Sequence, residues 1–175
     1  MRRLIVAMLT PLVLAGASAC AAEYPDRPAG PVLDQAAVIP QAAEHGLDAK
    51  LREYYAGTCR AVVVATVSSL EGQSVEDYAL HLASRWKIGD PVRGDGVLLL
   101  VAPTERKVRI EVSRSLQPAM SDAAAMEIIE GGMLARYRSG DFSGGIEQGV
   151  EAIIQRLNAN LEDYSDCGSV RAEAA

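Results

Sequence analysis

The sequence predicts an α/β fold: a single three-layer α/β/α sandwich around a mixed, mostly parallel sheet with an antiparallel hairpin edge. Residues 61–67 (Ala-Val-Val-Val-Ala-Thr-Val) and 96–102 (Gly-Val-Leu-Leu-Leu-Val-Ala) are apolar without alternation, as expected of central strands covered on both faces. A helix-period stripe lies between them, so a crossover joins them as a parallel pair, with the right-handed connection such units favour. After the turn at 103–106, Val108, Ile110 and Val112 alternate with Lys107, Arg109 and Glu111. That period of two marks a half-exposed antiparallel strand over 107–113.

The remaining elements follow in chain order. Met1-Arg2-Arg3 is a basic head, residues 4–14 are an apolar stretch, and small residues at 15–19 precede Cys20. This is the three-part plan of a bacterial export signal, and its core falls short of the ~20 apolar residues of a membrane span. Residues 1–19 are therefore set aside as a signal peptide. Ala17-Ser18-Ala19 fits ordinary cleavage, and Cys20 directly behind it fits a lipoprotein signal in which that cysteine is acylated. Both schemes stay open, and both place the chain in the periplasm or cell envelope. Membrane attachment is expected only through an acylated Cys20. Residues 20–31, carrying Pro25, Pro28 and Pro31, read as an extended leader, and the domain proper spans 32–161.

Leu47, Leu51, Tyr54 and Tyr55 place a helix over about 41–56, ended by Gly57. Ser74 opens the next, with Asp77 as its capping partner and Val75, Tyr78, Ala79, Leu82, Ala83 and Trp86 as its buried stripe. Ser121 or Asp122 caps a third that carries Met126, Ile129 and Met133 and is weakened at Gly131-Gly132. Residues 139–145 read as a loop, the last helix spans about 146–161, and 162–175 are a polar tail.

Composition narrows the function classes. The chain has 175 residues, 49% hydrophobic and 23% charged, which fits one folded domain rather than a disordered chain. A formal charge of −6 argues against a nucleic-acid footprint. Two His and three Cys are too few for most zinc constellations. Gly94-Asp95-Gly96 precedes a strand rather than a helix, so no nucleotide fingerprint is present. The charged run Thr104–Arg109 reads as solvation of the hairpin tip and edge.

The topology also suggests a site. Asp95 and the segment 113–122 share one end of the sheet, and Asp34, before the first helix, is placed in reach of the same region. Asp34, Asp95 and Asp122 together would form an oxygen-rich set suited to Ca²⁺ or Mg²⁺. Structural roles compete at each position: an Asx-turn for Asp34, a turn for Asp95 and an N-cap for Asp122. Cys59, before the first central strand, and Cys167, after a last helix that returns to the same end, are predicted to form a disulfide, leaving Cys20 as the odd cysteine. Closing a loop of about 100 residues would contribute up to ~4–5 kcal/mol in the chain-entropy model.

Several segments taken together resemble the TPM-domain family. They are Val32-Leu33-Asp34-Gln35-Ala36, Val63-Val64-Ala65-Thr66-Val67 followed by Ser69 to Ala79, Trp86-Lys87-Ile88-Gly89, Asp95 to Ala102, Arg106 to Val112, Ser121-Asp122-Ala123, and Tyr137 to Phe142 with Gly145. The resemblance covers about 25–158. It implies an α/β/α sandwich outside the cytoplasm and acidic residues at Asp34, Asp95 and Asp122 that bind a divalent cation, Ca²⁺ above all; acid phosphatase activity is ascribed to a plant relative. The chain departs from the family pattern at Gln35, at Gly94, and at Ser113-Arg114-Ser115-Leu116-Gln117, where glycines and a Glu are usual. The combined expectation is an exported envelope module that binds unidentified envelope proteins and carries a weak cation site. The alternative is a metal-dependent acid phosphatase, a phosphomonoesterase.

Overall fold

The density of β-branched and Leu side chains at 61–66 and 96–102 decides the centre of the sheet. A computed structural model describes residues 23–89 and 93–160, so the signal segment, Cys20 and Cys167 lie outside the described residues. Strand β1 (Val32–Asp34) runs parallel to β2 (Ala61–Thr66), which runs parallel to β3 (Gly96–Ala102). The antiparallel β4 (Lys107–Val112) closes the order β1-β2-β3-β4. Every residue of β3 is buried, as its unbroken apolar run requires. The mixed sheet is as expected, but β1 extends it by a strand: three residues carry no readable period, and only pairing with β2 makes them one.

Helix α1 (Gln41–Thr58) packs Leu47 and Leu51 on one face of the sheet, against Val32, Val62, Val64 and Leu99. Helix α2 (Val75–Trp86) packs Tyr78, Leu82 and Trp86 on the other, against Val63, Ala65, Leu98 and Leu100. These are the outer layers of the three-layer sandwich. The steps β1 to β2 and β2 to β3 move in the same direction across the sheet, yet their helices lie on opposite faces. One crossover is therefore left-handed, against the usual preference. The leader shares α2's face: Tyr24 packs on Tyr78 at 4.9 Å between ring centroids.

The capping pair of α2 forms as read from the sequence: Ser74 Oγ accepts from the Asp77 amide at 3.0 Å and donates to Asp77 Oδ2 at 2.7 Å. Beyond β4, a 3₁₀ turn (Arg114–Leu116) leads to α3 (Asp122–Ile128), capped by Ser121. A π-turn at Ile129–Met133 contains the Gly131-Gly132 weak point and passes into α4 (Leu134–Arg138). Helix α5 (Phe142–Asn160) starts four residues before the expected 146. The reason is a cap the glycines concealed: Asp141 Oδ1 accepts from the Gly144 amide at 2.9 Å. That bond and Arg136 hold the Asp141 carboxyl below the usual range.

Helices α1 and α5 run alongside each other, joined by Lys50–Glu151 at 2.8 Å and by Tyr54 Oη donating to Asn158 Oδ1 at 3.4 Å. Both run from the pole at the C-terminal ends of the parallel strands to the opposite pole, where Cys59 follows α1. Among the described residues no helix is long and apolar enough to cross a membrane.

Candidate functional site

Asp34 is the last residue of β1, in register with Thr66. Its Oδ2 accepts from the Ile39 amide at 2.8 Å, and its Oδ1 accepts from the Val38 amide at 3.2 Å and from Thr66 Oγ1 at 2.5 Å. In place of the Asx-turn bond to the amide two residues on, Asp34 holds the amides four and five residues on and the Thr66 hydroxyl from the neighbouring strand. Thr66 is 0% exposed, and its Oγ1 also accepts from the Ala36 amide at 3.1 Å. Asp34 braces the turn from β1 towards α1.

Asp95 lies at the other pole, immediately before the Gly96–Ala61 pair that starts β3 and β2. Six strand residues separate this level from that of Asp34, about 20 Å at the usual rise. The Asp95 side chain is 7% exposed and its Oδ2 meets Arg93 Nε at 2.9 Å. Its backbone carbonyl accepts from the Ala61 amide at 3.1 Å. The segment after β4 does come to this end: Gly96 N donates to Ser113 Oγ at 3.0 Å, and Ser115 Oγ donates to the Gly94 carbonyl at 2.9 Å. Asp122 opens α3 and its Oδ1 meets Arg109 Nη2 at 3.4 Å, while Arg109 Nε meets Glu111 Oε2 at 3.1 Å.

One shared oxygen pocket is therefore not what the register builds: Asp34 and Asp95 stand at opposite poles. Two of the three carboxylates face a guanidinium, and the third is occupied by hydroxyl and amide donors. This donor set does not fit a common Ca²⁺ or Mg²⁺. Among the described residues no group of three or more His, Cys, Asp or Glu side chains is placed to hold a metal ion.

Two concave regions escaped the sequence reading. The first, about 370 Å³, lies at the Asp95 pole between the leader, the end of α1 and the start of β2. Pro28, Pro31, Tyr55, Trp86 and Ile88 line it, with Arg27 and Arg52 as polar members, and Tyr55 remains 40% exposed. The second, about 690 Å³, lies at the opposite pole between the β3–β4 hairpin and the α4–α5 corner. Arg106, Lys107, Arg138 and Tyr137 line it beside Val101, Val108, Leu134 and Phe142. The positions of its cations in sequence gave no hint of this, because Arg138 joins the hairpin only through the tertiary fold.

Comparison with known proteins agrees with this architecture. The model of the TPM-domain family matches residues 32–156. The N-terminal domain of a protein from P. gingivalis, solved by solution NMR, is 28% identical, with a TM-score of 0.69 over 77% of this chain and 88% of that one. The N-terminal domain of the cg2496 protein from Corynebacterium glutamicum is 17% identical, with a TM-score of 0.58 over 82% of this chain and 94% of that one. The BA42 protein from the psychrophilic bacterium Bizionia argentinensis is 18% identical, with a TM-score of 0.60 over 73% of this chain and 88% of that one. The last two likenesses concern the fold alone. No curated protein matches the chain.

Proposed function

Since the chain belongs to the TPM-domain family, we propose that it works in the cell envelope as an exported module that binds a protein partner and turns over no substrate. The observation that carries this reading is the engagement of Asp34. A carboxylate that accepts from two amides and the Thr66 hydroxyl is a brace. It is poorly placed to serve as a free general base, which needs a lone pair directed at the substrate proton. The groove lined by Pro28, Pro31, Tyr55 and Ile88 supports binding, because it offers an apolar surface with few polar groups.

The basic head, short apolar core and small residues before Cys20 support export to the periplasm or envelope, with Cys20 as the acylation site of a lipid-anchored form. In that oxidising compartment Cys59 and Cys167 form the disulfide. Cys59 sits at the pole where α5 ends, and Cys167 follows Asn160 by a span of chain long enough to return. Non-reducing peptide mapping of the exported protein should recover the Cys59 and Cys167 peptides linked, and recovery of both as separate thiol peptides rejects the bridge.

Ca²⁺ or Mg²⁺ enters this reading only as a weak ligand of single carboxylates. The second reading, a metal-dependent acid phosphatase, draws on one observation: a cationic cleft at the C-terminal ends of the parallel strands, where open α/β sheets place their ligands. Residues 21–175 should show no tight cation site by calorimetry and no turnover of a chromogenic phosphate ester above the buffer rate. Turnover that requires Ca²⁺ or Mg²⁺ and disappears in a folded Asp34→Asn variant would establish the phosphatase and reject the non-catalytic module.

A further inference from the structure

We propose that the cleft between the β3–β4 hairpin and the α4–α5 corner binds an anionic amphiphile, a phosphate headgroup carried on an apolar chain. The inference does not rest on the partner-binding reading, which uses the opposite pole.

Charge is the first argument. The cleft has Arg106, Lys107 and Arg138 in its lining and no acidic residue, on a chain whose formal charge is −6. All three side chains are exposed, and among the described residues none has an acidic or hydrogen-bonding side-chain partner. Nearby cations are treated differently: Arg136 is matched by Asp141 at 2.6 Å, and Arg109 by Glu111 and Asp122. Three gathered like charges repel one another, so a bound anion relieves an unfavourable field.

The same lining also carries apolar side chains. Val108, Leu134 and Phe142 are half-buried against the core and leave apolar surface at the cleft, whereas Val101 and Ala102 have almost none. A free inorganic anion would leave that surface unfilled, whereas an apolar chain covers it. The volume, about 690 Å³, falls in the range of small-ligand pockets.

Tyr137 supplies the third argument. Its hydroxyl oxygen is enclosed and has no hydrogen-bond partner, so the part of this half-buried residue that lines the cleft is its ring. Burial accordingly pushes its phenol well above the ordinary range. The ring is fixed in place, stacked on Phe142 at 5.2 Å and resting on Gly145, where a Cβ would collide with it. The half-buried Tyr137 therefore gives the cleft a fixed aromatic wall.

The test is calorimetric titration of residues 21–175 with dodecyl phosphate kept monomeric, with inorganic phosphate, and with dodecyltrimethylammonium. Dodecyl phosphate should bind saturably at one site, and the other two at least ten-fold more weakly. The double substitution Lys107→Gln and Arg138→Gln, at exposed positions that leave the core intact, should weaken dodecyl phosphate about ten-fold. Absence of saturable binding overturns the proposal. So does binding that survives the double substitution in a folded protein, inorganic phosphate binding as tightly as dodecyl phosphate, or equal affinity for the cationic amphiphile.

Discussion

Asp34→Ala should lower the folding stability by about 2–4 kcal/mol, because it strips the acceptor from three donors at once. The Val38 and Ile39 amides lose their partner in the turn, and Thr66 Oγ1 loses the acceptor of its proton on a side chain that is 0% exposed. Asp34→Asn should cost less, since one side-chain oxygen remains to accept. The chain has a single Trp, Trp86, which is 2% exposed and packs in the α2 layer, far from the substitution in sequence and on another element. Its emission therefore reports global unfolding in urea. The midpoint should fall while the denaturant slope stays unchanged, the signature of lost native stability rather than an altered unfolded state. An Asp34→Ala protein that unfolds at the wild-type urea concentration contradicts the role of Asp34 as a brace.

The same residue shows why the fold was more legible than the site. Strands β2, β3 and β4 and helix α2 announce themselves because burial on two faces, burial on one face, and a capped helical stripe each leave a distinct period in the sequence. The approach of Ser113 and Ser115 to Gly94 and Gly96 followed from the hairpin alone, since a two-stranded turn fixes which ends meet. The pole of Asp34 is not legible in the sequence for one reason. Val32-Leu33-Asp34 is too short to show a period, and without its parallel pairing to β2 nothing assigns the carboxylate to a pole. Read as a parallel strand, its last residue goes with Thr66 to the C-terminal end, away from Asp95. The start of α5 was hidden differently. Glycines at 144 and 145 read as a loop, yet one amide is capped by Asp141 and the other position is kept free of a Cβ by the Tyr137 ring. The opposite placement of α1 and α2 is likewise a tertiary choice that no local pattern encodes.

Removing residues 23–31, so that the chain begins at Val32 with the family match, should destabilise the protein by about 2–4 kcal/mol. The leader has no regular structure, but its first residues are tied to Gln73 and α2, and its end to α1 and β2, where Arg52 Nη2 donates to the Ala29 carbonyl at 3.3 Å and the Val64 amide to the Pro31 carbonyl at 2.9 Å. Tyr24 stacks on Tyr78 at 4.9 Å and its Oη donates to Gln73 Oε1 at 2.7 Å. Trp86 Nε1 donates to the Pro25 carbonyl at 2.9 Å, and Arg27 Nη1 donates to the Trp86 carbonyl at 2.7 Å. Without these residues the Trp86 ring loses its polar partner and part of its cover, so its emission should shift to longer wavelength in the still-folded protein. The melting temperature should drop by about 2–4 °C for each kcal/mol lost. Trp86→Ala in the longer chain, a large-to-small change at a buried site, should cost about 3–5 kcal/mol. The informative comparison is the combination. If the leader acts through Trp86, Trp86→Ala should cost less in the shortened chain than in the longer one, because the two changes remove the same contacts. Strictly additive losses, or an emission spectrum unchanged by the truncation, would show that the strap and the ring act independently. Since Pro28 and Pro31 of the leader also line the groove beside Tyr55, the same truncation should abolish partner binding there even where the rest of the sandwich stays folded.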